Sequence, residues 1–144
     1  MSLNVGFLLR ENVGSSRDWD LAEHRIIVAD DLALDTLHGT IHLTRTPQGI
    51  YAEGDLQAIR KVECVRCLRE FPIHVISEMA ELYLYPPGSE SEFNIEQGDI
   101  LNISPLIREL TIIYEPTRPL CQIDCRGLCH DCGQDLNHVR CQCQ

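Results

Sequence analysis

An α+β fold is what this sequence predicts: an antiparallel β-sheet or partial barrel, one packing helix and a cysteine-rich tail. Three observations predict it. Apolar and polar residues alternate over long runs between Leu37 and Leu84, the period of half-buried strands. One later stretch, Leu106 to Tyr114, carries helical spacing instead. Six of the eight cysteines crowd into the last 24 residues.

The elements follow in order. Leu3 to Leu9 reads as a short apolar strand. Glu11 to Arg17 reads as a loop, broken by Gly14-Ser15-Ser16. Trp19 to Val28 is ambiguous. Leu37 to Thr46 alternates, with Ile41 and Leu43 on one face, and Pro47-Gln48-Gly49 turns the chain. From Ile50 to Val62 the residues Ile50, Ala52, Gly54, Leu56 and Ala58 face one way; Tyr51, Glu53, Asp55 and Gln57 face the other. That is the clearest hairpin in the chain. Phe71 to Leu84 alternates again, Phe71, Ile73 and Val75 against Pro72, His74 and Ile76. Tyr85-Pro86-Pro87-Gly88 and the Ser/Glu stretch after it form a loop. Ser104-Pro105 opens a helix, with Ser as N-cap and Pro at N1. Leu106, Ile107, Leu110, Ile113 and Tyr114 make its apolar face, and Glu115-Pro116 ends it. His24, His38, His42 and His74 are scattered and read as ordinary strand and loop residues. The chain divides into a mainly antiparallel β domain with one helix, 1–116, and a cysteine-rich tail packed on it, 117–144.

The cysteines carry the chemistry. Cys129-x-x-Cys132 is followed by Gly133, which permits a tight left-handed return of the chain. Cys141 and Cys143 lie 9 and 11 positions beyond Cys132. A C-x2-C-x8-C-x-C set can close a tetrahedral Zn²⁺ site of the ribbon or knuckle kind. Cys64-x-x-Cys67 and Cys121-x3-Cys125 remain, and they make a second site if the fold brings the mid-chain pair to the start of the tail. Spacing alone leaves the grouping of the four pairs open. His130 and His138 stand beside the tail ligands and read as solvent-exposed loop residues. Eight thiolates divide into two closed shells, which is structural stoichiometry; catalytic zinc keeps a position open.

Other readings of the cysteines fit less well. A disulfide framework needs an oxidising compartment, and MSLNVGFLLREN lacks the basic start of a secretory leader. A redox C-x-x-C usually opens a helix in a βαβ unit, whereas V-E-C-V-R-C-L-R-E-F reads as strand into turn. Cys125-x3-Cys129-x2-Cys132 has the spacing of a radical iron–sulfur loop, but a full barrel needs about 200 residues or more and this chain has 144. A thiol-redox or iron–sulfur protein is therefore the alternative class.

Length and charge bound the rest. One domain, or one with a small appendage, is expected from 144 residues. No apolar run approaches the ~20 residues of a membrane span, and the expected compartment is a reducing cytoplasm or an organelle of similar redox state. Net charge is −10. Two four-thiolate zinc sites would take it to about −14, because each adds a net −2. Such a chain repels nucleic-acid phosphates in general and suits a basic protein partner. From Glu70 to Ile107 there is no Lys or Arg, against seven acids that include Glu90, Glu92 and Glu96. Around the first cysteine pair the sign reverses, with Arg60, Lys61, Arg66 and Arg69. Direct RNA binding would have to use that basic patch, since aromatics are only 6% and form no stacking platform. No Ser/His/Asp set, phosphate-cradling glycine loop or nucleotide motif is present, so the expected action is binding and not catalysis.

The run E-C-V-R-C-L-R-E-F, then P-L-C-x2-D-C-R-G-L-C-x-D-C-G-x-D-L-N, then a closing C-x-C, resembles the YceD family of large ribosomal RNA subunit accumulation proteins. The likeness is carried by residues 63–71 and 119–143. His130 departs from the family's pattern, in which proline follows the cysteine; this bears on turn rigidity, not on ligation. The resemblance implies a role in accumulation or processing of large-subunit ribosomal RNA in bacteria and plastids, with no catalytic residues. It brings the eight cysteines over position by position. The expected partner is large-subunit ribosomal RNA or a basic ribosomal protein or assembly factor, with no membrane and no small-molecule substrate.

Overall fold

Four long strands, each paired to the next in sequence, build the frame. They are described by a computed structural model covering residues 1–143; Gln144, the last residue of the expected tail, lies outside the described residues. In chain order the elements are β1 (Ser2–Asn4), α1 (Gly6–Leu9), β2 (Ser16–Ala29), β3 (Leu32–Thr46), β4 (Gly49–Glu63), β5 (Glu70–Leu84), β6 (Ile100–Asn102) and α2 (Ser104–Tyr114). The sheet order is β2-β3-β4-β5, all antiparallel. The sheet is open, with β2 and β5 as its edges. Such a meander needs only short connections, and Asp30-Asp31 and Pro47-Gln48 supply two of them.

Alternation fixes which side each strand buries. Ile41 and Leu43 on β3, Ile50, Ala52, Leu56 and Ala58 on β4, and Val75, Met79 and Tyr83 on β5 are buried in one core. The intervening Glu53, Asp55, Gln57, Ile76 and Glu78 are exposed on the other face. A one-residue slip would turn every one of these inside out, so the pattern locks the register. Leu34, Leu37 and Leu21 extend the core across β3 and β2. α2 lies across the inner face and touches both edge strands, β5 and β2.

A second, two-stranded pairing covers the same core. Leu3 sits opposite Leu101 between β1 and β6, and both are buried. The start of the chain is tied down further: Val5 N–H donates to the Asp99 carbonyl at 2.9 Å, and Ile103 N–H to the Met1 carbonyl at 3.0 Å. The expected strand from Leu3 to Leu9 is thus only Ser2–Asn4. The rest turns into α1, because Leu8 must face the core and the chain reverses at once. The ambiguous segment, Trp19 to Val28, is strand. Its inner-facing Leu21 and Val28 are buried while the residues between them are largely exposed, as on an edge strand.

α2 begins one residue earlier than its sequence suggests. Ile103 is the N-cap and Ser104 the first helical residue, with Pro105 after it. The Ser104 N–H is satisfied by Asn102 Oδ1 at 3.1 Å, so Asn102 does the work expected of Ser104. The apolar face also differs. Leu106, Ile107 and Thr111 are buried, and Leu110 is partly so, but Ile113 and Tyr114 are 64% and 50% exposed. Thr111 replaces them in the core by bonding its hydroxyl to the Ile107 carbonyl at 2.7 Å.

The loop between β5 and β6 is pinned to the core. Ile95 is buried, its N–H donates to the Leu84 carbonyl at 2.9 Å, and Phe93 meets Tyr83 edge to face at 5.6 Å. This divides the lysine- and arginine-free segment. Glu78 stands on the outer face of the sheet, whereas Glu92 lies beside α2, which packs on the inner face. Among the described residues no helix is long and apolar enough to cross a membrane.

Candidate metal centres

The first centre forms at the tip of the β4–β5 hairpin. Cys64 and Cys67 sit in the six-residue connection from Cys64 to Arg69. Cys64 N–H donates to the Arg69 carbonyl at 2.9 Å, and Leu68 N–H to the Cys64 carbonyl at 3.0 Å. Leu68 takes a left-handed φ of 62° to close this knuckle. The tail repeats the same geometry. Cys129 N–H donates to the Gln134 carbonyl at 2.9 Å, Gly133 N–H to the Cys129 carbonyl at 2.9 Å, and Gly133 has φ 75°. Two knuckles with one hydrogen-bond plan thus present Cys64/Cys67 and Cys129/Cys132.

Topology then groups the four pairs. Cys64, Cys67, Cys121 and Cys125 come together, and Cys129, Cys132, Cys141 and Cys143 form the other set, each with its sulfurs within 4.8 Å of one another. The grouping that sequence leaves open is therefore mid-chain pair with first tail pair. In the first set Cys64 Sγ is 3.8 Å from Cys125 Sγ, and Cys67 Sγ is 3.6 Å from Cys121 Sγ. A disulfide needs sulfurs about 2.05 Å apart. Four thiolates at about 2.3 Å from a central ion in a tetrahedron would stand roughly 3.8 Å apart. The donor set and its spacing fit a metal ion. The second set is tighter, at 3.2 Å for Cys129–Cys141 and 3.5 Å for Cys132–Cys141.

The two centres differ in setting. Cys64, Cys67 and Cys125 are buried in a small apolar cluster of their own, against Phe71, Leu120 and Leu128. Cys132 and Cys143 of the second set are exposed. The first centre is further held by Val65 N–H on the Pro119 carbonyl, 3.0 Å, and by Arg66 Nη1 on the Cys125 carbonyl, 2.9 Å. Gly127, with φ 76°, passes so close that a Cβ there would lie 3.0 Å from the Arg66 carbonyl oxygen.

Electrostatics ready one thiol of each set to lose its proton. Burial opposes ionisation of Cys64, yet the backbone N–H groups of Cys67, Cys121 and Arg66 outweigh it and bring the thiol down to about 6. The Cys132 N–H and the Cys141 thiol bring Cys129 to about 6 in the same way. Burial and the surrounding thiols push Cys121 up to about 12. The Cys129 thiol, above all, pushes Cys141 up to about 12. One thiolate in each set is favoured in water; an entering cation displaces the other protons.

The basic residues around the first knuckle are partly committed. Arg60 pairs with Glu115 at 3.0 Å, both partly buried, and Arg66 serves the Cys125 carbonyl. Lys61 and Arg69 are exposed. Glu90, Glu92 and Glu96 are exposed on the loop between β5 and β6. His130 and His138 belong to neither cysteine set.

A different acidic surface comes from register. Asp20, Thr40, Asp55 and Glu78 stand in one row across the four strands, and Asp18, His42, Glu53 and Ala80 in the next. Thr40 Oγ1 donates to Asp20 Oδ1 at 3.0 Å, and His42 Nδ1 meets Asp18 Oδ1 at 2.5 Å. A trough of about 660 Å³ runs over these rows, lined by His38, His42, Glu53, Asp55, Gln57 and Glu78 among others. No sequence window contains this cluster; its acids come from three strands.

The class that fold and site define is an antiparallel sheet protein with two four-cysteine sets that could each hold a metal ion. The chain belongs to the family described as large ribosomal RNA subunit accumulation protein YceD, which residues 52–144 match. That description names no enzymatic activity. The matched span covers β4 from Ala52 onward, β5, β6, α2 and all eight cysteines. Among curated proteins, an uncharacterised protein of Mycobacterium tuberculosis is 28% identical over 95 residues, covering 62% of this chain and 46% of that one. An uncharacterised protein of Mycobacterium leprae is 29% identical over 96 residues, covering 62% of this chain and 44% of that one. The match thus spans less than half the length of these relatives. No solved structure matches the chain.

Proposed function

We propose that this protein is a non-catalytic factor in large ribosomal subunit biogenesis that holds a basic ribosomal protein or assembly factor on the outer face of its sheet, with two structural Zn²⁺ ions fixing the tail. Family membership supports the process. The observation that carries the mode of action is Asp55 directly opposite Glu78. Like charges opposite each other on a sheet are destabilising, and the eight outer-face positions of the two rows hold five acids and no Lys or Arg. A cationic partner relieves that repulsion. Ribosomal RNA does not, and two of the four basic residues near the first knuckle are already engaged. Four closed thiolate donors per site support zinc as a staple and leave no open position for chemistry.

Two probes test the proposal: the protein fraction extracted from large ribosomal subunits, and the deproteinised large-subunit RNA. Saturable, salt-sensitive capture of a basic protein is expected, slowed by Glu53→Gln, Asp55→Asn and Glu78→Gln together. Substituting Glu90, Glu92 and Glu96 should slow it less. Tight RNA binding with no protein capture would overturn the assignment of partner. Elemental analysis should find two zinc ions and a colourless protein; a brown protein containing iron would overturn the metal.

A further inference from the structure

The two cysteine sets are joined by one side chain that belongs to neither. Asn137 lies in the loop between Cys132 and Cys141 of the second set. Its Nδ2 donates to Cys125 Sγ of the first set at 3.3 Å and to Asp135 Oδ1 at 2.8 Å. Its Oδ1 accepts from the Arg126 N–H at 2.8 Å and from Gln122 Nε2 at 3.2 Å. Both donors and both lone pairs of the amide are used, which is its full capacity. The orientation is settled by the partners: a flipped amide would set its oxygen against a thiolate and a carboxylate, and its NH₂ against a backbone N–H.

Each partner belongs to a different part of the tail. Gln122 and Arg126 lie on the segment that carries Cys121 and Cys125. Asp135 shapes the turn that returns the chain to Cys141, with its carbonyl accepting from His138 and Val139 at 3.2 Å each. Leu136 N–H donates to the Gly127 carbonyl at 2.9 Å, and Leu128 pairs with Asp135, so the two segments are already side by side. Asn137 is what converts that adjacency into contact with a metal-ligand sulfur.

We infer that Asn137 is a positioning residue that couples the two metal centres, so that each ion binds more tightly when the other is present. When Cys125 is held by an ion, its sulfur and the Arg126 N–H present a fixed donor–acceptor pair to Asn137. Asn137 then holds the 133–140 loop in the form that brings Cys141 back to Cys129. By linkage the effect runs equally in the other direction. Hydrogen-bond partners of metal ligands typically change metal affinity by about 10- to 100-fold. An N–H donated to a metal-bound thiolate is of this kind, because it offsets charge on the sulfur.

The inference rests on both sets holding metal, and the test separates the two. The full chain is titrated with cobalt(II) in competition with a chelator of known affinity. A wild-type chain that binds no cobalt fails the metal reading itself. If it binds two ions, Cys132→Ser with Cys143→Ser disables the second centre, and the first should weaken about tenfold or more. In an Asn137→Ala background the first centre should already be weaker, and disabling the second should change it no further. Equal losses in both backgrounds would overturn the coupling. Cobalt in the first centre gives a second readout. Its sulfur-to-metal absorption band should shift in Asn137→Ala, and should not in Leu136→Ala, which perturbs the same loop without touching a sulfur. If Asn137→Ala disorders the tail, Asn137→Ser keeps an oxygen for the turn but is too short to reach Cys125. An unshifted band in that variant overturns the role of Asn137.

Discussion

Cys67 and Cys121 are 54 positions apart in sequence and 3.6 Å apart at their sulfurs. One comes from the tip of a hairpin and the other from the start of the tail, so removing either should loosen both. In Cys67→Ser, hydrogen exchange should quicken at Val65, whose N–H bonds the Pro119 carbonyl, and at Cys125, whose N–H bonds the Gln122 carbonyl. The amides that pair β3 with β4 should keep their protection. Protection unchanged at Val65 and Cys125 would mean that the two pairs do not share an ion.

The paired knuckles invite an exchange of residues. Leu68 and Gly133 hold the same left-handed place, at φ 62° and 75°. A residue with a Cβ carries a cost of roughly 1–2 kcal/mol there. Nothing lies within 4 Å of where a Gly133 Cβ would be, so Gly133→Ala should cost about 1–2 kcal/mol from backbone strain alone. Leu68 is 54% exposed and has little packing to lose. Leu68→Gly should therefore leave stability unchanged or raise it by up to about 1 kcal/mol, the relief being partly offset by glycine's extra unfolded-chain entropy. Denaturant midpoints of the metal-loaded variants decide both. A clear loss in Leu68→Gly would show that the leucine side chain matters for reasons other than conformation.

Asp31 and Arg108 predict how acid weakens the fold. Arg108 Nε and Nη2 reach the two oxygens of Asp31, at 2.9 and 2.5 Å, joining the β2–β3 turn to α2. The Arg108 side chain holds the Asp31 carboxyl below its ordinary value. A depressed carboxylate contributes stability above its unfolded pKa and loses it as pH falls through the folded one. Asp31→Asn should thus lower stability near neutrality by a small amount, as for exposed pairs. Wild type and variant should converge as pH drops below about 3.9, the ordinary aspartate value. Thermal midpoints from pH 7 down to 3 would show it. A constant gap at every pH would assign the loss to packing.

The two faces of α2 should respond in opposite ways. Ile107 is 2% exposed in the main core, and Ile107→Ala should cost about 2–5 kcal/mol. Ile113 is 64% exposed, and Ile113→Ala should stay within about 0.5 kcal/mol. Comparable losses would mean that the end of α2 packs more deeply than its exposure indicates.

What was legible in the sequence follows from how far each signal reaches. β4 was readable from Ile50 to Val62 because alternation is local and needs only the chain's own pleat. The cysteine pairs were readable for the same reason. Their grouping was not, since four short-spaced pairs look alike until the hairpin tip is brought to Cys121. α1 was missed because one helical turn within Leu3 to Leu9 is too short to show a period. The end of the α2 face was misread because Ile113 and Tyr114 keep the spacing after the core has ended. The acidic rows were invisible because Asp20, Asp55 and Glu78 are neighbours only through register. Asn137 stood in the quoted D-L-N run, but nothing in one sequence indicates a reach to Cys125.

The wide separation of the first centre's ligands also sets an order of events in time. Each long strand pairs with its immediate successor, so the meander can form as the chain is made. Cys64 cannot meet Cys125 until 61 further residues have been synthesised. At about 5–20 residues per second, that is a wait of roughly 3–12 s. Once β5 has ended at Leu84, with 41 of those residues still to be added, the nascent chain carries a finished hairpin with two unpartnered thiols at its tip, open to alkylation by a probe added to stalled ribosomes. Arrival of Cys121 and Cys125 is thus signalled by the burial of residues made long before.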